Sequence, residues 1–261
     1  MKAMNDVTHT IADHVATIVL SNPNRYNAMS LSMWTKLADT LELLRDDNDV
    51  RVLILRGDGD KAFVSGADIS EFAAQRSSVA GVAAYDVAVD RAQTALAQFP
   101  RPVIAAISGI CYGGGLGLAL ACDLRYASPT AKFRMPAARL GLGYALKGMK
   151  RMADVLGVSR AAELFYTARV CEAQDAHRIG LVNAIHDDVF SYAAETGAVI
   201  ASNAPMTIAT AKLAFNTLLS GSDATSVEAV NDAVKACFVS SDYAEGRKAF
   251  ADKRAPQFEG R

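Results

Sequence analysis

Histidine and cysteine are both scarce in this chain, with 4 of each in 261 residues. Cys111, Cys122, Cys171 and Cys237 are far apart and form no Cys-x-x-Cys pair. With only His9, His14, His177 and His186 beside them, the spacing of a metal site is missing. Cys111 and Cys122 stand in apolar surroundings and read as packing residues of a reducing compartment. An excess of one charge is also missing: 27 Lys and Arg face 28 Asp and Glu, a net charge of −1. That balance leaves no basic footprint for nucleic acid, and no like-charged run forms a tail. No apolar stretch reaches the ~18 residues that a membrane span needs, and the first six residues lack a signal-peptide core. These absences predict a soluble, cytoplasmic, metal-free protein with no nucleic-acid or membrane partner.

What is there is apolar bulk. At 51% hydrophobic residues the chain can bury one large core, or a core with a small appendage. Residues 8–11 and 15–20 flank Ala12-Asp13-His14 as a hairpin. Ser30 is placed to cap a helix carrying Leu31, Trp34, Leu37, Leu41 and Leu44 at helical spacing. Residues 50–56 read as a strand and 82–99 as a helix that Pro100 and Pro102 stop. After Asp187 the pattern turns to helices alone, over 189–201, 205–219, 227–238 and 242–254. The expected division is therefore a core at 1–188 and a helical region at 189–261.

The densest signal is Gly-Ile-Cys-Tyr-Gly-Gly-Gly-Leu-Gly at 109–117. It follows a buried-strand run, Val103-Ile104-Ala105-Ala106-Ile107, and precedes a helical Leu118-Ala119-Leu120-Ala121. Without Cβ atoms, a ligand can approach this backbone closely. The free N–H groups of a first helical turn then point at it, with the positive end of the dipole behind them. That is the equipment for stabilising an oxyanion. Alone, the run also reads as tight helix–strand packing or a linker. A second turn of the same kind, Ser65-Gly66-Ala67-Asp68, follows the strand-like Val52-Leu53-Ile54-Leu55. Two such junctions offer one backbone N–H each to a shared oxygen.

The pieces Asn22-Pro23-Asn24-Arg25-Tyr26-Asn27-Ala28, Ala62-Phe63-Val64-Ser65-Gly66-Ala67-Asp68-Ile69 and Pro102-Val103-Ile104-Ala105-Ala106-Ile107-Ser108-Gly109 resemble the crotonase superfamily, the enoyl-CoA hydratases and isomerases. Gly113-Gly114-Gly115, Ala121-Cys122-Asp123-Leu124, Ala173-Gln174-Asp175-Ala176, Gly180-Leu181-Val182 and the stretch from Asp242 to Phe250 continue the likeness in order. The resemblance implies an α/β crotonase fold, a spiral of β-β-α turns with a C-terminal helical trimerisation region. It implies homotrimers, often stacked in pairs. It also implies an acyl-CoA thioester substrate, with coenzyme A entering only as part of that substrate. The oxyanion hole would be the N–H groups of Ala67 and Gly114.

Hydrating an enoyl thioester needs two proton-transfer groups besides that hole. In the hydratases these are glutamates, one just past the triple glycine and one just past the proline of the following loop. Here those positions are Gly117 and Ala137. Losing such a group costs on the order of 10²–10⁴ in rate. Asp68, Glu71 and Asp123 are possible substitutes, although Asp68 and Asp123 also read as turn or capping residues. Decarboxylation of a malonyl-type thioester needs the hole but no base. The loop Arg139-Leu140-Gly141-Leu142-Gly143-Tyr144 resembles the family's methylmalonyl-CoA decarboxylases, which have a tyrosine at the same place. Tyr144 is thus a candidate donor to carboxylate or enolate, or else a packing residue at a pocket rim. Hydration with another acid/base, and plain acyl-CoA binding without chemistry, stay open. Lys147 either points to solvent or brings a cation to the acyl pocket.

For the CoA end, the resemblance implies phosphate contacts near Arg25 and adenine contacts along the backbone of Val64, Ala67, Asp68 and Ile69. It places Phe250 and Lys253 near the CoA of a neighbouring subunit. Lys253 and Arg254 read otherwise as a solvated helix end.

Overall fold

The computed structural model describes residues 6–68 and 79–261, without the side chains at 79, 80 and 82. Strands β1 (Asp6–Ala12) and β2 (Val15–Ser21) form the expected hairpin. Its turn residues Asp13 and His14 both have positive φ, 48° and 66°, the backbone that matches the twist of the flanking strands. Helix α1 (Leu31–Arg45) begins where Ser30 Oγ accepts from Met33 N–H at 3.2 Å.

From there the chain repeats one pattern. Strand β3 (Val52–Gly57) is followed by β4 (Ala62–Val64) and helix α2 (Val79–Ala97). Strand β5 (Val103–Ile107) is followed by β6 (Ile110–Tyr112) and helix α3 (Gly114–Ala121). Strand β7 (Leu124–Ala127) is followed by β8 (Lys132–Arg134), then helices α4 (Leu146–Leu156) and α5 (Val158–Thr167). A short strand β9 (Cys171–Glu172), helix α6 (Ala173–Arg178) and strand β10 (Ala184–Ile185) complete the core. The first strands of each turn build a six-stranded sheet ordered β1-β2-β3-β5-β7-β10. The second strands build a four-stranded sheet ordered β4-β6-β8-β9. The three turns from β3 to β8 each add one parallel strand to both sheets, which is the expected β-β-α spiral, while β9 closes the small sheet antiparallel to β8.

The large sheet is buried on both faces, so β3 and β5 read as unbroken apolar runs. Leu53, Leu55, Val103, Ala105 and Ile107 face the main core with Trp34, Phe63 and Phe99. Val52, Ile54, Ile104 and Ala106 face the opposite way, under helix α7 (Val189–Ser202) through Val189, Ala193 and Ala201. Helices α8 (Pro205–Ser220), α9 (Ala224–Phe238) and α10 (Ser241–Asp252) follow. Lys212 of α8 is buried, its Nζ donating to Asp123 Oδ2 at 2.7 Å and Arg101 O at 2.8 Å. No helix among the described residues is long and apolar enough to cross a membrane.

Several boundaries differ from the sequence reading, by up to three residues in the C-terminal helices. Strand β3 starts at Val52 rather than Val50, because Arg51 N–H and Val52 N–H both donate to His14 O at the hairpin end. Helix α2 spans 79–97 rather than 82–99, and Phe99 lies beyond it as a fully buried side chain. Helix α3 starts at Gly114 itself, so the glycines form its first turn instead of preceding it.

Candidate active site

The two glycine turns adjoin each other, and the absence of side chains is what brings them together. A Cβ on Gly115 would lie 2.2 Å from Val64 O and 2.8 Å from Val64 Cβ, so the start of α3 packs on the end of β4. A Cβ on Gly66 would lie 3.7 Å from Tyr112 O, the last residue of β6. Trp34, the chain's single tryptophan, closes one side: its Cζ2 lies 3.1 Å from where a Gly114 Cβ would stand. Trp34 Nε1 donates to Tyr85 Oη at 2.9 Å, which fixes the indole.

Each turn presents an unconsumed amide. Gly66 O and Asp68 N–H are both bonded to Met29, at 2.9 and 3.0 Å. Along an extended backbone the intervening Ala67 N–H then points to the other side. No acceptor among the described residues takes it. In α3, Gly117 N–H makes the first intrahelical bond, to Gly113 O at 3.0 Å, while Gly113 N–H is taken by Arg134 O. Gly114 N–H, at the first helical position, has no intrahelical acceptor and no side-chain cap.

The loop 22–28 is tied onto the first of these turns. Asn27 Nδ2 donates to Ala62 O and Asp58 O, and its Oδ1 accepts from Asn22 N–H. Ser65 Oγ donates to Arg25 O at 3.0 Å. Arg25 and Asp68 are thereby paired at 3.9 Å, with Arg25 reaching into solvent and Asp68 buried. Asn22 and Asn27, both buried, are the tethers that the sequence reading missed. Positive φ at Tyr26 and Asn27, 50° and 55°, is the conformation that makes the loop turn there.

Gly117 and Ala137, where the resemblance implied glutamates, are both buried. A Cβ on Gly117 would meet Gln93 Nε2 at 2.5 Å, so the amide of Gln93 on α2 occupies the space beside Gly117. Gln93 is only 7% exposed, and its Oε1 accepts from Arg151 Nη1 at 2.9 Å. Neither Gln93 nor Arg151 was among the residues the sequence singled out. No signal in the sequence marks them, because α2 and α4 meet only in the folded chain.

Tyr144 is half-buried and packs edge-to-face on Phe165, ring centroids 5.7 Å apart. Gly148 makes room for it: a Cβ there would lie 2.4 Å from Tyr144 Cε1. Burial raises the phenol above its ordinary value near 10, against a smaller opposing pull from the Arg151 guanidinium. The hydroxyl therefore stays protonated at neutral pH and can donate, and it has no partner among the described residues. Tyr144, Arg151, Gln93 and Gly117 thus form one connected group.

Of the possible substitute carboxylates, Asp123 is engaged: Val103 N–H donates to it at 2.7 Å and Lys212 pairs with it at 2.7 Å. Asp68 sits with Arg25 and Asn22. Glu71 and Ile69 lie outside the described residues. Lys147 turns to the surface, bonded to Asp90 at 2.8 Å. Val64 is buried, leaving only its backbone for a ligand. Phe250 is 88% exposed, so it is not packed on the glycine turns of its own chain. Lys253, also exposed, caps α10 with φ 55°. Cys111 and Cys122 are buried packing residues, and burial pushes the Cys122 thiol up to about 12, so neither is a thiolate nucleophile at neutral pH.

The chain thus folds as a β-β-α spiral with two adjoining turns that each leave one main-chain amide unpaired among the described residues. The family model described as enoyl-CoA hydratase/isomerase matches residues 10–261. A short-chain-enoyl-CoA hydratase of Clostridium acetobutylicum is 31% identical over 253 residues, covering 96% of each chain. A crotonyl-CoA hydratase of Syntrophomonas wolfei is 32% identical, covering 94% of this chain and 95% of that one. The crystal structure of an enoyl-CoA hydratase/carnithine racemase from Magnetospirillum magneticum superposes with a TM-score of 0.93. It is 36% identical, covering 99% of this chain and 97% of that one. The chain belongs to the enoyl-CoA hydratase/isomerase family of the crotonase superfamily. Enzymes of this family act on acyl-CoA thioesters, and this fold is theirs.

Proposed function

We propose that this protein decarboxylates a malonyl-type CoA thioester, holding the enolate between Ala67 N–H and Gly114 N–H. The observation that carries the reading is the packing around Gly117, where the Gln93 carboxamide fills the space beside the backbone and any side chain at 117 would have to displace it. Two preorganised donors stabilise the developing oxyanion, the largest single term in such reactions, worth about 10²–10³ in rate per donor. The bond from Cα to the carboxylate carbon breaks and CO₂ departs. Its electron pair passes into the thioester enolate, and Cα then takes a proton from water. No protein base is needed. Tyr144, neutral and unpartnered, orients the departing carboxylate by one hydrogen bond.

The same reading assigns CoA phosphates to Arg25 and adenine to the backbone of Val64, Ala67, Asp68 and Ile69. Phe250 and Lys253 serve the CoA of a neighbouring copy in a homotrimer or a pair of trimers. Coenzyme A is part of the substrate, and no other cofactor is used. The cytoplasm is the proposed compartment.

Malonyl-CoA, methylmalonyl-CoA and crotonyl-CoA, each incubated with the protein and followed by mass spectrometry, test this. Loss of 44 mass units from the first two is expected, that being the mass of CO₂, with kcat falling on the order of tenfold in Tyr144→Phe. A second reading, hydration through another acid and base, is favoured by what the relatives are named. Rapid addition of water to crotonyl-CoA would establish it instead. Tight binding of all three esters without turnover would mark a non-catalytic acyl-CoA-binding oligomer.

A further inference from the structure

We infer that Gln93 is a substrate-facing residue: its Nε2 donates to the acyl carboxylate of a thioester carrying a second acid group, and Arg151 positions it. This rests on the proposed acyl-CoA site. The orientation of the Gln93 amide follows from chemistry. A guanidinium only donates, so the atom facing Arg151 Nη1 at 2.9 Å must be the oxygen. The NH₂ group is then turned toward Gly117, 2.5 Å from where a Cβ would stand. Residues 114 and 117 are one helical turn apart on the same face, so this NH₂ lies one turn along α3 from the Gly114 amide. The Gln93 side chain is buried between α2 and α4. Yet its Nε2 donates to no protein atom among the described residues. The atom stays open to approach, so a ligand or water can complete it.

The charge arrangement selects the ligand's class. Arg151 is partly buried and bonded to a neutral amide, with no carboxylate of the described residues in salt-bridge range. Burial lowers its pKa, the loss partly offset by Asp90 and Tyr144. Asp90 itself is paired with Lys147. The cation is therefore presented toward Gly117 through one amide. That suits a group that is anionic in the substrate and lost as neutral CO₂. Direct pairing to the guanidinium would bind the ground state at the expense of the transition state. A neutral amide orients the same group with less of that penalty.

Stopped-flow quenching of Trp34, which abuts Gly114, reads ester binding before turnover. Kd is compared for malonyl-CoA and acetyl-CoA. The wild type is expected to prefer malonyl-CoA at least about tenfold, the scale of one charge-assisted hydrogen bond. Gln93→Glu keeps the side-chain size and the contact to Arg151 but turns a carboxylate toward the ligand. It should abolish the preference while acetyl-CoA binding changes less than about twofold. Gln93→Leu and Arg151→Met should lower the preference, with Arg151→Lys restoring part of it. A merely structural role would shift both esters together. If neither ester binds the wild type, the acyl-CoA reading falls and this inference with it. If both bind but the wild type shows no preference, or Gln93→Glu preserves it, only the inference is overturned.

Discussion

Gly115 and Gly117 sit two residues apart on α3, and each is glycine for a different reason. At 115 the obstacle is main chain, Val64 O at 2.2 Å from a Cβ. Gly115→Ala must push the two turns apart, so a loss of about 1–3 kcal/mol in denaturant unfolding should come with a fall in kcat. At 117 the obstacle is the Gln93 side chain, which can be removed. Gly117→Glu alone should destabilise by a similar amount, while Gln93→Ala/Gly117→Glu should recover most of the loss. Urea midpoints for the two singles and the double read that coupling, and additive effects would contradict the packing described here. Neither distinction is visible in the string of glycines. Sequence marks the need for a missing Cβ but not what would be struck.

Among elements, what is periodic or punctuated was legible: the Asp13-His14 hairpin, the Ser30 cap, the strand–glycine–helix junction at 109–117 and the four C-terminal helices. What was not legible depends on long-range docking. Lys212 on α8 reads as one more helical lysine, yet it is buried against Asp123, 89 residues earlier. Asp123→Asn leaves that ammonium without its counter-charge and should cost about 3 kcal/mol, more than Lys212→Met, which frees a partly exposed carboxylate. Thermal unfolding of the two variants checks the order. The chain end offers a pH test. Glu245 on α10 accepts from Arg254 and from Gln257 N–H, which holds its carboxyl down at about 2. A carboxylate lowered in the fold stabilises above its unfolded value near 4.5, and that contribution is lost as pH falls through about 2. The Gln257 amide should therefore gain hydrogen exchange, relative to a free peptide, between pH 4.5 and 2. Glu245→Gln should show the faster exchange at neutral pH and converge on the wild type near pH 2.

For the whole molecule, the faces left open by α8, α9 and α10 are where the proposed homotrimer would form. Phe215, Leu218, Leu219, Phe238 and Val239 are all exposed there, more apolar surface than a lone globule usually keeps. Light scattering should give three or six copies, and Leu218→Glu should lower that number. Because Gln93 reaches into the space beside position 117, an acid placed there would have to swing that carboxamide aside. Changing both positions together is thus the easier route to a carboxylate at 117, and a library randomised at the two sites should return acids there chiefly beside a small residue at 93.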